Sequence, residues 1–242
     1  MEASDFRLEL RQRLADADGK VLLRIALSPN IDQPQEFTGS QILEESRQLV
    51  RDHVQQPAGS VVLILLPHSA ELFLLHLGLI LEGYIPAILA WPTSRIDAEK
   101  YQRNLLHQLR NLPADQLITS PKLAENLGPA LPYTTTPCLF PGSSGHDEAF
   151  AKRLQLDDLE PVQSAARSGE KENNAVFLQF SGGTTGAQKC VVITAEIMTA
   201  QLQRLKEYLN FGGEDGVASW LPMYHDMGLI AQFADTVGVM YA

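Results

Sequence analysis

Apolar and polar positions change rhythm repeatedly along this chain. "SVVLILL" (60–66) is a short, continuously apolar run, the pattern of a strand covered on both faces. Ser69 then caps an almost wholly apolar segment that reads as a helix to Leu81, with Gly83 ending it. "YIPAILA" (84–90) predicts the next strand, and Asp97 predicts a cap for a helix carrying Tyr101, Leu105, Leu109 and Leu112 at helical spacing. "DQLITS" (115–120) reads as a strand, Ser120-Pro121 as a helix start, and "TPCLF" (136–140) as a further short strand. Upstream, residues 40–54 place Ile42, Leu43, Ser46, Leu49 and Val50 on one helical face behind the capping candidate Thr38. Strand and helix alternate, which argues for an α/β protein with doubly wound, mostly parallel sheets and flanking helices.

Residues 141–174 break the rhythm: they are polar, charged and rich in Gly, Ser and Pro. The segment reads as a surface connection with at most a short helix near Glu148 to Leu154. A boundary is expected there, between a first α/β subdomain over 1–165 and the start of a second over 173–242 that carries a glycine-rich loop. No internal repeat or low-complexity tract is visible.

Composition narrows the function. With 29 acidic and 19 basic residues the net charge is −10, and the basic residues form no run, so nucleic acid and anionic lipid are poor partners. Two cysteines, Cys138 and Cys190, make no disulfide framework, so a reduced, cytoplasmic setting fits best. The N-terminal stretch "MEASDFRLELRQRL" is charged throughout, unlike a signal peptide. Val61 to Trp91 is the most apolar region, but Pro67, His68, Ser69, Glu71, His76, Glu82 and Pro86 interrupt it. It lacks the roughly 18 unbroken apolar residues of a membrane span, so no stable membrane insertion is expected.

The chemistry concentrates in "FLQFSGGTTGAQKCVVIT", Phe177 to Thr194. Glycines let backbone amides approach a ligand closely, and consecutive amides in a tight loop form an anion-binding nest. Thr184, Thr185 and Lys189 add donors suited to phosphate oxygens. A Walker-type loop is excluded, because Ala187-Gln188 precedes Lys189 and Cys190 follows it. Gly-x-Gly-x-x-Gly fails because Ser181 stands in its first position. "CVVIT" (190–194) is β-branched and apolar, so the loop is expected to join two strands, without help from a helix dipole.

"SGGTTGAQK" resembles the signature phosphate loop of the adenylate-forming (acyl-CoA synthetase) superfamily, whose usual form is Thr-Ser-Gly-Thr-Thr-Gly-x-Pro-Lys-Gly. Gly183, Thr184, Thr185, Gly186 and Lys189 match it; Ser181 and Gly182 are a variant similar to aryl-acid-activating members. Gln188 stands where proline is usual, and Cys190 where glycine is. "SWLPMYHDMGLI", Ser219 to Ile230, resembles the next motif, a strand running into the acyl-pocket wall, in the form seen in fatty acyl-AMP ligases. "GYIPAILAWP" and "TGSQILEESRQLV" resemble weaker early motifs, so the likeness runs from about Phe37 onward.

The resemblance implies a two-step reaction. A carboxylate attacks the α-phosphorus of ATP to give an acyl adenylate and pyrophosphate, and a thiol of coenzyme A or a carrier protein's pantetheine then takes the acyl group. It implies that Ser181, Gly182, Gly183, Thr184, Thr185, Gly186 and Lys189 bind ATP, with Mg²⁺ beside Thr184. His225 would border the reacting carboxylate, with Lys189 and His225 carrying the chemistry. Met223, Tyr224, Asp226, Met227 and Gly228 would line the substrate side, although core packing explains the methionines equally well and Asp226 suits a structural role. The superfamily's Thr-Glu motif, ribose-binding aspartate, hinge and C-terminal lysine do not occur in these 242 residues. The chain alone is therefore expected to form no acyl adenylate, to be the N-terminal part of a larger enzyme, and to self-associate through an open apolar edge. An aryl-acid-activating ligase and a non-catalytic binding or assembly module that kept the fold stay open as alternatives.

Overall fold

The structure is a computed structural model that describes residues 2–26, 32–91, 97–139, 174–181, 189–210 and 216–229. Its first element is a helix, α1 (Ala3–Asp16), which turns Phe6, Leu10 and Leu14 inward. Their i, i+4, i+8 spacing makes one stripe, yet the charged residues between them hide it in the sequence. A two-stranded antiparallel ribbon follows, β1 (Val21–Ile25) with β2 (Gln35–Thr38). Thr38 ends β2 and caps α2 (Gly39–His53) through a capping box: its hydroxyl accepts from the Gln41 amide at 3.3 Å, and the Gln41 side chain accepts from the Thr38 amide at 2.8 Å.

The central sheet begins with β3 (Val61–Leu65) and proceeds through α3 (Ala70–Leu81), β4 (Ile85–Ile88), α4 (Ala98–Asn111), β5 (Gln116–Thr119), α5 (Pro121–Leu127) and β6 (Thr134–Pro137). After the long connection come β7 (Ala175–Phe180), β8 (Cys190–Thr194) and α6 (Ala195–Leu209). The sheet order is β6-β5-β3-β4-β7-β8, with every neighbouring pair parallel except β7 with β8. The α/β reading with a mostly parallel sheet therefore holds. β7 pairs with β4, so the strands on the two sides of 141–174 lie in one sheet rather than in two. The short helix expected near Glu148 to Leu154 lies outside the described residues.

Helices lie on both faces, and the strand residues alternate accordingly. Val62, Ile64, Ile88, Ile118 and Val176 face a core shared with α1, α2, α3 and α6. Leu63, Leu65, Ala87, Leu117, Leu178 and Phe180 face a second core filled by Tyr101, Leu105 and Leu109 of α4 and Leu123 and Leu127 of α5. The connection after β3 runs one way along the sheet and those after β4 and β5 run the other. Right-handed crossovers then put α3 and α4 on opposite faces.

α3 is the buried centre of the first core: all its residues except Glu71 are buried, as an all-round apolar helix must be. Ser69 caps it, accepting from the Leu72 amide at 3.2 Å, and Gly83 takes a positive φ of 86° just past its end. There the Tyr84 amide reaches Leu79 O at 2.8 Å and the Gly83 amide reaches Ile80 O at 3.1 Å, the crossed pair that satisfies last-turn carbonyls. Arg11 of α1 donates to Leu81 O at 2.6 Å and to Glu82 at 2.9 Å, and Arg47 of α2 joins Glu82 at 3.2 Å. These donors bind α1 and α2 to the negative end of the α3 dipole, and the two arginines hold the Glu82 carboxyl below the usual range against the opposing effect of its burial.

Two expectations need correction. Ser120 stands at the start of α5 with Pro121 first in the helix, but its hydroxyl makes no cap hydrogen bond and is buried. The sixth strand begins at Thr134 rather than Thr136, because Thr134 and Thr135 already pair with Gln116 and Leu117; Cys138 only extends the ladder by one amide, to Thr119 O at 2.8 Å.

Candidate active site

β7 delivers the glycine-rich loop. All six of its residues are buried, and because it runs parallel to β4 its last residue, Phe180, lies at the carboxyl end of the sheet. Ligands of open α/β sheets bind outside that end. β8 returns antiparallel from the same end, with Phe180 opposite Cys190, so the loop does join two strands. Ser181 and Lys189 close its neck with two hydrogen bonds: the Ser181 amide donates to Lys189 O at 2.9 Å, and the Lys189 amide donates to Ser181 Oγ at 3.0 Å. The seven residues between them, including Gly182, Gly183, Thr184, Thr185 and Gly186, lie outside the described residues. Lys189 is exposed at the neck, where its ammonium can turn toward an anion above the sheet.

Cys190, next in the chain, faces the second core, and burial pushes its thiol up to about 11. At neutral pH it holds its proton and is a poor nucleophile. Cys138 is raised to about 11 as well, first by burial and then by the charge of Glu71.

The second motif does not form the expected strand: residues 216–225 have no regular sheet pairing, and a short helical turn follows over 226–229. Met223 and Leu229 are buried in the first core, on the face shared by α3 and α6. Tyr224 packs against that core and His225 against Tyr224, their rings 4.9 Å apart. The His225 amide donates to Pro222 O at 3.0 Å, and its carbonyl accepts from the Leu229 amide at 2.9 Å. His225, Asp226 and Met227 are exposed; Asp226 accepts from the Met227 amide at 2.8 Å. Gly228 is buried, and a Cβ there would sit 2.3 Å from Pro222 O, so this tight turn leaves no room for a side chain. Met223 thus sits in the core while Met227 points outward.

One residue that sequence reasoning passed over connects the two motifs. Gln179, two positions before the neck, donates from Nε2 to Tyr224 O at 2.9 Å. Its only sequence signal is an amide in an otherwise apolar strand.

Among the described residues, no group of three or more His, Cys, Asp or Glu could hold a metal ion, and no helix is long and apolar enough to cross a membrane. A shallow polar groove lined by Gln56, Asp115, Tyr133 and Thr134 lies at the amino ends of β5 and β6, the opposite end of the sheet from the loop.

Fold and site together define a doubly wound α/β protein with a glycine- and threonine-rich loop and a histidine-bearing turn at the carboxyl edge of its sheet. The chain belongs to the AMP-binding enzyme family, whose sequence profile matches residues 16–237. It is 29% identical over 153 residues to long-chain fatty acid transport protein 5 of Mus musculus, covering 61% of this chain and 22% of that protein. It is 26% identical over 178 residues to a long-chain-fatty-acid–AMP ligase of Mycobacterium marinum, covering 71% of this chain and 28% of the ligase. A 4-hydroxyphenylalkanoate adenylyltransferase of the same organism is 28% identical over 176 residues, covering 72% and 26%. The chain therefore spans about a quarter of the length of these relatives. Among solved structures, the fatty acyl-adenylate ligase from L. pneumophila in complex with acyl adenylate and pyrophosphate superposes with a TM-score of 0.68 at 18% identity, over 97% of this chain and 38% of that one. O-succinylbenzoate coenzyme A synthetase from Bacillus subtilis, in complex with AMP, gives 0.64 at 18% identity, over 95% and 53%. These likenesses establish the fold of adenylate-forming enzymes.

Proposed function

We propose that this chain supplies the phosphate loop and the carboxylate-facing turn of an ATP-dependent ligase that activates a fatty or related acyl carboxylate as its acyl adenylate. The observation that carries the reading is the pinned neck at Ser181 and Lys189. It brings Ser181 and Lys189, which flank the glycines and threonines in the sequence, together at the carboxyl edge of the sheet. ATP suits this donor set of backbone amides, hydroxyls and one cation. Mg²⁺ would belong with Thr184; the described residues offer no carboxylate cluster for it.

In the reaction, a carboxylate oxygen bonds to the α-phosphorus, the bond to the bridging oxygen of pyrophosphate breaks, and pyrophosphate leaves with the electron pair. Lys189 neutralises charge on the departing phosphates. His225, exposed beside Tyr224, borders the carboxylate, while Gly228 lets the turn fold tightly enough to present it. Positioning and charge stabilisation carry the rate, with no covalent role for the protein. A pantetheine thiol, of coenzyme A or a carrier protein, is the acceptor in the second step. The 4-hydroxyphenylalkanoate relative keeps an aryl-bearing acid as the second reading of the substrate.

The test is calorimetric titration with magnesium-ATP. Lys189→Ala removes a charge-assisted donor worth roughly 1.5–3 kcal/mol, so affinity should fall by about 10- to 150-fold with thermal stability unchanged. Equal binding by the variant would sink the reading. These 242 residues alone should give no carboxylate-dependent pyrophosphate exchange; exchange above background would show that adenylation needs less of the family's length than we propose.

A further inference from the structure

We propose that Gln179 is a positioning residue that ties the phosphate-loop strand to the turn carrying His225, setting the distance between the two halves of the site through one buried amide. The proposal rests on reading the Ser181–Lys189 neck and His225 as two sides of one site. Gln179 is 9% exposed, in a strand otherwise made of Ala, Val, Phe and Leu. A buried primary amide is tolerated only when its groups are hydrogen-bonded. Here Nε2 donates to Tyr224 O at 2.9 Å, 45 residues away, and more weakly to Phe180 O at 3.3 Å.

The geometry gives this bond a particular reach. Leu178 and Phe180 face the second core, so Gln179 projects to the opposite face, over which Met223 and Leu229 are packed. Its backbone is two residues from Ser181, and the carbonyl it holds is one residue from His225. A shift of the turn along the sheet would break the bond, and so would a shift of β7. An aliphatic residue could fill the same space, but it would leave Tyr224 O without this donor, and the apolar packing of Met223, Tyr224 and Leu229 has no such direction and can slide.

The test compares wild type with Gln179→Leu by NMR. Amide exchange is read at His225 and Leu229, whose amides donate to Pro222 O and His225 O. The ring signals of His225 are read as a signature that core stability alone would not move. Gln179→Leu should speed exchange at both amides at least tenfold and move the His225 ring signals, while the amides of β3 hold their protection. Unchanged His225 signals and exchange would overturn the proposal. So would a matching acceleration throughout β3, because Gln179 would then serve only core stability. If Gln179→Leu does not fold, Gln179→Met, which keeps the length of the side chain, takes its place; failure of both to fold would likewise overturn it. Magnesium-ATP is titrated into wild type separately. Unmoved Ser181 and Lys189 amide signals there would sink the phosphate-loop reading and leave the His225 result standing as a structural tie.

Discussion

His76 makes acid sensitivity a quantitative test of the packing. It lies in α3, 1% exposed, with its ring edge-on to Phe177 at 5.6 Å. Burial lowers its pKa from 6.5 to about 3, because an imidazolium in this apolar core would lose its hydration. As pH falls below 6.5 the unfolded chain takes up a proton at this histidine, and the folded chain does not until near pH 3. The unfolded state therefore binds more protons in that window, and stability is lost as pH drops. Between pH 7 and pH 5 a single such group costs about 2 kcal/mol. That figure hardly depends on the native value, since any native pKa below about 4 leaves the ring neutral at pH 5. It is a large share of a typical domain stability of roughly 5–15 kcal/mol. His68, although exposed, is lowered by partial desolvation too and acts in the same direction, so the effect must be isolated by difference. Urea unfolding of wild type and His76→Leu at both pH values does this, because every other titrating group is common to both chains. The wild type should lose about 2 kcal/mol more than the variant on going to pH 5. An equal loss in both would mean that His76 takes a proton in the folded state, and the account of α3 as a dry, central helix would fail.

Three further perturbations test other parts of the structure. Leu10→Ala should cost about 2–5 kcal/mol in urea unfolding, because Leu10 is fully buried where α1 meets the first core; a cost near zero would mean that α1 is not docked. Thr38→Ala removes the capping-box hydroxyl and should cost about 1 kcal/mol by the same measurement, with Thr38→Ser restoring most of it. Gly228→Ala forces a Cβ toward Pro222 O and should destabilise the chain by about 1–3 kcal/mol. It should also deprotect the His225 amide in hydrogen exchange; an alanine variant as stable and as protected as wild type would show the turn to be looser than described.

Local patterns alone make much of this protein legible. The apolar runs 60–66 and 84–90 contain strands because β-branched and leucine side chains with no polar alternation need cover on both faces. The Ser69, Asp97 and Thr38 caps mark helix starts because a short oxygen-bearing side chain satisfies amides that the helix cannot. The spacing of Ser181 to Lys189 carries the family resemblance, and β7 and β8 flank the loop as the β-branched "CVVIT" requires. Other features depend on residues far apart in the chain. α1 is masked by its charges, and its stripe of Phe6, Leu10 and Leu14 acquires meaning only against α2 and α3. No local signal says that β7 pairs with β4 across a long polar connection, closing one sheet where the composition suggests a subdomain boundary; that choice follows from which sheet edge is left to pair. The same holds for Met223, equally suited by sequence to a pocket wall or a core and placed in the core by the turn at Gly228. It holds most clearly for Gln179, whose amide reads as a misplaced polar residue until folding brings Tyr224 O to it, since a buried donor takes its role from whichever acceptor the tertiary structure delivers.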